Sequence, residues 1–443
     1  MRIKILVLGA ALTAGLVPYA SAEPEPGRGV SHARAPFHVG FASTKHLVGM
    51  RIVGRHAASP AQALYTIHDI GAPSGSDFNY PSGFNNTGQI FGEVGTYLPQ
   101  GGSTLDCYSW TGAVFRRLPL PSPAGYAAGC TANGIDDANA AGDYEIVGAA
   151  SEPFAQDAHA FAAIAGPTGF ERLAIYYANG PSTMVGVNAS EVAAAAAAFD
   201  RDTLYDVQGS LYYTASGATD FLTQLQALPS ATSPAVHALV PTYPTPCPFG
   251  GCSINARGEL LGYDWLTLYD GEATVALGTV GEPASLLHVP LQDVVAAAPS
   301  SSIDTAAATY PVAFNDQGQL LYLDAAVNAP AVYDVDTGTN TIIPVSAPGC
   351  TSPVPLSMNN RGEVLGTFLN FTTPEYFTWD PAGGTQDLGA ELPSSAFTIF
   401  PLGVNDNGQI LVKLVSGSSV TYWGTLDPFA SKAAKGLTKG RRV

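Results

Sequence analysis

The stretch Gly83-Phe84-Asn85-Asn86-Thr87-Gly88-Gln89-Ile90-Phe91-Gly92-Glu93-Val94 decides the fold. It runs apolar residue, Asn, two polar residues, Gly, Gln, then a largely apolar run. Asn at the first turn position can bond its side chain to the backbone two residues on. Gly three positions later tolerates the left-handed conformation of a bulged hairpin turn. The β-branched and aliphatic residues on either side suit strands. The segment therefore predicts a strand, a tight turn and a second strand.

The pattern returns as SINARGELLGYD around Asn255, AFNDQGQLLYLD around Asn315, SMNNRGEVLGTF around Asn359 and GVNDNGQILVKL around Asn405. Two degenerate copies fill the gap: GIDDANAAGDYEIVGA, with Asp136 in place of Asn, and GVNASEVAAA at Asn188, which lacks the Gly. A second pattern follows each hairpin, as YSWTGAVFRRL from Tyr108, HAFAAIAGPTGFERL from His159, LYYTASGATDFL from Leu211 and TLYDGEATVAL from Thr267. It continues as AVYDVDTGTNTII from Ala331 and YFTWDPAGGTQDL from Tyr376, while the last copy, VTYWGTLDP from Val420, stops early. Each reads as an aromatic strand, a Gly- or Asp-bearing turn and a further strand.

Four antiparallel strands per unit is the composition of a propeller blade, and a period of about 50 residues suits such repeats. The chain is thus expected to be all-β, a seven-bladed β-propeller of four-stranded antiparallel blades over residues 63–426. The stretch YTIHDIG, Tyr65 to Gly71, reads as an orphan outer strand. Pairing it with the three-stranded last unit would close the ring and remove both sheet edges. An open β-solenoid and a pair of β-sandwiches are the competing architectures. Trp110, Trp379 and Trp423 are read at equivalent strand positions, packed in the core.

Hairpins of this type, followed by His159-Ala160-Phe161 and echoed at His237-Ala238-Leu239, resemble the extracellular HAF-repeat proteins of bacteria. An opening like Tyr65–Gly71 is similar as well. The resemblance spans roughly residues 63–426. It implies a repeat architecture and no particular reaction.

Charge narrows the function classes. Only 12% of the 443 residues are charged, with 19 Lys+Arg against 36 Asp+Glu. The excess of acid is concentrated: residues 61–426 carry a net −26, and Lys413 is their only lysine. Such a body repels phosphate backbones and anionic lipid, which argues against nucleic-acid binding. Met1 to Lys4 form a basic start, Ile5 to Ala20 an apolar run and Ala20-Ser21-Ala22 a small-x-small cleavage signal, so residues 1–22 read as a signal peptide. No later stretch reaches the ~18 apolar residues of a spanning helix. The expected product is exported, periplasmic or secreted, not membrane-spanning, and monomeric. Residues 23–62 read as a basic arm or linker and 427–443 as a basic flexible tail.

Five cysteines suit an oxidising compartment. The favoured pairs are Cys107–Cys130 and Cys247–Cys252, with Cys350 left over. A lone C-x4-C is weak as a zinc site. No metal site or cofactor is expected beyond diffuse divalent cations on the acidic ring.

The sequence contains no G-x-S-x-G elbow, zinc helix, phosphate loop or calcium loop. Asp136 with Asp137, and Asp334 to Asn340, could suggest paired carboxylates and half a calcium loop, but both read as turns. His159 reads as a strand residue. The short Asn-x-x-Gly turns mark one face as structural. Variable loops on the other, the longest at 223–251 and 278–309, are expected to carry function. The candidate binding residues there are His237, Tyr243, His288 and Asp304, with Trp265 at a strand corner as a possible sugar-stacking ring. The expected role is a rigid platform for an extracellular glycan or envelope protein. The alternative is a carbohydrate-active enzyme, a polysaccharide lyase or glycoside hydrolase, with its site at the channel mouth. A purely structural envelope role is a third reading.

Overall fold

The computed structural model describes residues 64–97, 103–119, 129–151, 158–176, 182–187, 193–198, 207–213, 239–241, 254–264, 275–279, 282–288, 310–345, 353–368, 375–392 and 397–428, apart from Ala113, 325–326 and 418–420. The expected signal peptide and basic arm, and the tail beyond Pro428, lie outside these residues.

The fold is all-β except for one short helix, Leu388–Glu391. The described strands form seven antiparallel sheets, six of them four-stranded. In most of them the strands lie in chain order. The first sheet runs Phe78–Phe84, Ile90–Tyr97, Ser103–Trp110 and Phe115–Arg117. The last runs Thr398–Val404, Ile410–Val415 and Thr421–Pro428, and its fourth strand is Tyr65–Gly71 from the other end of the chain. Tyr65 lies opposite Pro428, His68 opposite Thr425 and Gly71 opposite Trp423. The orphan strand thus sits beside Trp423, as the sequence predicts, and the last sheet extends two residues past 426.

Why the hairpins form is visible in the turns. Gly88, Gly258, Gly318, Gly362 and Gly408 all have φ between +74° and +87°. An L side chain there would be strained. A register shift falls just before the turn in the first strand, at Pro81/Gly83, Pro311/Ala313, Pro355/Ser357 and Pro401/Gly403. A bulge is one of the few strand settings that tolerates proline, which has no N–H for the ladder. The recurrence of proline there is therefore part of the repeat.

Successive residues of a strand point to opposite neighbours. Ile90 packs with Phe84, Val94, Leu411 and Trp423, between the first and last sheets. Phe91 packs with Cys107, Cys130, Ile146 and Phe161, between the first and second. Both faces are dry, so these second strands read as near-continuous apolar runs. Burying each such side chain contributes about 1.5–3 kcal/mol.

Three details differ from the sequence reading. Trp423 lies opposite Lys413, whereas Trp110 and Trp379 lie opposite Ile90 and Val364, the first residues after the turn. Trp423 is therefore three positions out of register with the other two, though fully buried. The stretch 223–251 contains the strand Leu239–Pro241, and 278–309 contains Glu282–His288. The first is only three residues long and the second pairs through a register shift, so neither announces itself by alternation.

Candidate functional site

The Asn-x-x-Gly turns do more than close hairpins. Asn85 Oδ1 accepts from the backbone N–H of Thr87 and Gln89 at 3.2 and 2.9 Å, as a turn-forming Asn should. Its Nδ2 is free to point elsewhere, and donates to the carbonyl of Asp136 in the next unit at 2.7 Å. The same bond runs from Asn255 to the Asn315 carbonyl (3.2 Å), from Asn315 to Asn359 (3.1 Å) and from Asn359 to Asn405 (2.8 Å). It then runs from Asn405 back to Asn85, at 3.2 Å.

A second bond accompanies it. The backbone N–H after each Asn donates to the side chain at the matching position of the following turn. Asn86 donates to Asp137, Ala256 to Asp316, Asp316 to Asn360, Asn360 to Asp406, and Asp406 to Asn86, all at 2.6–2.8 Å. Asn86 and Asn360 add side-chain bonds to Asp406 on either side of it, at 2.9 and 3.0 Å. The carboxylates of Asp137, Asp316 and Asp406 are thus spent on amides. This face is a cross-linked scaffold.

The second unit divides the labour. Asp136 supplies the carbonyl that receives Asn85, and its Oδ1 accepts from Glu145 N–H at 2.6 Å. The turn itself is made three residues later by Asn139, whose Oδ1 accepts from Ala141 and Asp143 N–H, with Gly142 at φ +89°. Asp136 and Asp137 therefore serve structure, not paired acid–base chemistry. Asp334 likewise caps a hairpin, accepting from the N–H and hydroxyl of Thr337 at 2.8 Å. Those bonds hold its carboxyl below the usual aspartate range.

A cleft of about 490 Å³ opens on this turn side, lined by His68, Thr87, Trp110, Gln409 and Thr425 among others. Its walls come from the two ends of the chain. His68 meets the edge of Trp110 in a T-shaped contact, ring centroids 6.4 Å apart. Asp427 organises the polar wall: its Oδ1 accepts from Gln409 Nε2 at 2.8 Å and from the Thr425 hydroxyl at 3.1 Å. Trp110 is only half-buried, unlike Trp423. A half-exposed indole beside a fixed amide and hydroxyl can stack on an apolar ring face and bond its rim. Trp110 packs against the core cluster of Phe84, Ile90 and Trp423, as the sequence reading expects, and its exposed part also lines the cleft, which that reading missed. Finding it needed the pairing of Tyr65–Gly71 with the last strand.

Two ionisable side chains are buried deeper. Glu93 is 3% exposed and receives a backbone hydrogen bond from Ala132. Its Oε1 has no hydrogen-bond partner among the described residues. Burial pushes its carboxyl up to about 8. Lys413, 8% exposed, holds Nζ 4.1 Å from the Tyr80 ring centroid and 6.0 Å from that of Phe400. Burial brings its ammonium down to about 8.

Of the residues singled out from sequence, His237, Tyr243, Trp265 and Asp304 lie outside the described residues, as do Cys247, Cys252 and Cys350. His288 ends the strand Glu282–His288, opposite Ala276. His159 is buried near the start of Ala158–Gly166. Cys107 and Cys130 are brought together, Cα atoms 5.7 Å apart, from the third strand of one sheet and the first of the next. Among the described residues no group of three His, Cys, Asp or Glu could hold a metal ion, and no helix is long and apolar enough to cross a membrane.

Comparison with known proteins returns no matching family model and no matching curated protein. Among solved structures, the β-propeller domain of the Trilobed protease from Pyrococcus furiosus is similar at 8% identity and TM-score 0.42, over 80% of this chain and 95% of that one. The acylaminoacyl peptidase of Pyrococcus horikoshii matches at 8% identity and TM-score 0.42, over 78% of this chain and 50% of its own. A puromycin-hydrolysing peptidase of Mycobacterium tuberculosis matches at 10% and 0.44, over 84% and 53%.

Proposed function

We propose that the seven sheets are the blades of a closed seven-bladed propeller, and that this exported ring is a rigid platform holding an extracellular glycan or protein. The observation that carries the reading is the pair of bonds from Asn405 and Asp406 to Asn85 and Asn86. They repeat, between the last turn and the first, the bonds that the turns at Asn85, Asn255, Asn315 and Asn359 make to their successors. The Tyr65–Gly71 strand adds a second link between the two ends. A ring tied this way presents surface groups at fixed spacing, which lowers the ordering cost of binding.

In this reading the His68–Trp110 cleft is where a sugar ring would lie, with Gln409 and Thr425 bonding its hydroxyls. Export follows from the leader-like N-terminus and the HAF-repeat resemblance, and a Cys107–Cys130 disulfide fits that compartment. The test is retention of purified protein, from Glu23 onward, on insoluble neutral and acidic glycans, beside a pull-down from an envelope fraction. Retention that Trp110→Ala reduces at least tenfold supports the cleft. Release of reducing ends or unsaturated uronates would replace the platform with a carbohydrate-active enzyme.

A further inference from the structure

We propose that Lys413, framed by Tyr80 and Phe400, is a binding subsite for a small monocarboxylate at the junction of the first and last sheets. The argument begins with register. Five residues after the turn glycine stand Glu93, Leu323, Thr367 and Lys413, in four different units. Each faces a first-strand residue: Tyr80, Tyr310, Val354 and Phe400 respectively. The backbone therefore accepts acid, aliphatic, hydroxyl or amine at this position. Nothing in the repeat requires a lysine there.

The lysine is also an expensive choice. An ammonium removed from water needs a partner, and an apolar residue of similar volume is often more stable than a buried charge. Four arginines have partners within the protein. Arg116 donates to the carbonyls of Gly166 and Pro167, Arg117 bonds Asp106, Arg257 bonds Glu259 and Asp336, and Arg361 bonds Glu363. Lys413 faces two aromatic rings and, among the described residues, no carboxylate or other hydrogen-bond acceptor. Among the described residues Lys413 is the one lysine, and its Nζ meets two ring faces but no carboxylate of the protein. That is the electrostatic signature of a site whose counter-ion comes from outside.

Geometry and charge specify the ligand. One ammonium neutralises one carboxylate through a charge-assisted hydrogen bond. Tyr80 and Phe400 are both half-buried, so their outer edges remain to cover an apolar or planar body. The net charge of −17 repels polyanions at long range, which favours a singly charged small molecule over an acidic polymer. The subsite does not share residues with the His68–Trp110 cleft, so each stands or falls alone.

The experiment uses the full chain and two probes, benzoate and monomeric glucuronate, with benzyl alcohol and glucose as uncharged counterparts. Saturation-transfer NMR and calorimetry read the binding. Saturable binding of either acid but neither neutral probe is expected, weakened at least tenfold in Lys413→Met and partly kept in Lys413→Arg. Lys413→Met should melt no lower than the parent, because an unpaired buried charge has gone. Equal binding by Lys413→Met, equal binding of the neutral probes, or no saturable binding of either acid overturns the proposal.

Discussion

Asn405 is fully buried, and its side chain makes four hydrogen bonds. Oδ1 accepts from Asn407 and Gln409 N–H at 3.0 Å; Nδ2 donates to Gln409 Oε1 at 3.0 Å and to the Asn85 carbonyl at 3.2 Å. Asn315 makes the same four: it accepts from Gln317 and Gln319 N–H and donates to Gln319 Oε1 and the Asn359 carbonyl. At about 1 kcal/mol net per bond, with extra cost where a buried N–H is stranded, Asn405→Ala should destabilise by roughly 3–5 kcal/mol. In a closed ring Asn315→Ala should cost the same within about 0.5 kcal/mol, because the two residues make the same four bonds to the same kinds of partner. If the ends of the chain were apart, Asn405 would make only its local bonds, and its loss would be cheaper by at least about 1 kcal/mol. Urea unfolding followed by tryptophan fluorescence reads both variants against the parent. A markedly smaller effect at Asn405 than at Asn315 would refute the reasoning.

Other expectations follow from the same interfaces. Glu93 keeps its proton in the folded state up to about pH 8, against an ordinary value of 4.5. Its contribution is therefore fully present below pH 4.5 and lost as pH rises to about 8, a loss of up to roughly 3–5 kcal/mol. Glu93→Gln, which stays neutral, should match the parent near pH 4.5 and exceed it increasingly towards pH 8; parallel pH profiles of the urea midpoint count against this. A Cβ on Gly92 would lie 2.7 Å from Trp423 Cζ2 and closer still to the Tyr80 carbonyl, so Gly92→Ala should cost about 1–3 kcal/mol as overpacking. An unchanged melting temperature would contradict the close approach of the Tyr80 backbone and Trp423 to Gly92. Peptide mapping of unreduced protein should recover Cys107 joined to Cys130, and Cys107→Ser should lower stability by about 2–4 kcal/mol; free thiols at both positions contradict the pairing.

The fold was legible because its signals are local and repeated. An Asn that must turn the chain and a Gly that must take positive φ leave a mark within four residues, and five good copies make the mark unmistakable. The pairing of Tyr65–Gly71 was legible because the last unit supplies only three strands of its own. The inter-turn bonds were not. They use the second polar atom of the same Asn85, Asn315 or Asn405 amide, whose recipient lies in another unit and imposes no further sequence requirement beyond a carbonyl. The second unit was half-legible, since Asp136 was seen but the turn at Asn139–Gly142, three residues on, was not separated from it. The cleft was illegible for a different reason: His68 and Trp110 meet Gln409 and Thr425 only where residues from opposite ends of the chain come together. Glu93 and Lys413, by contrast, could have been found. Each stands five residues after its turn glycine, and lining up the copies at that offset exposes an acid and an amine among apolar and hydroxyl residues.

The central claim is that the last unit docks on the first. Asn86 Nδ2 and Asp406 Oδ2 are 2.9 Å apart, although 320 residues separate them in the chain. Replacing both with cysteine and mapping the peptides of the oxidised monomer tests that contact directly. The account predicts an intramolecular bond between positions 86 and 406 that forms without denaturant and raises the urea midpoint. A monomer with both thiols free, or a bond formed only between two chains, would contradict it.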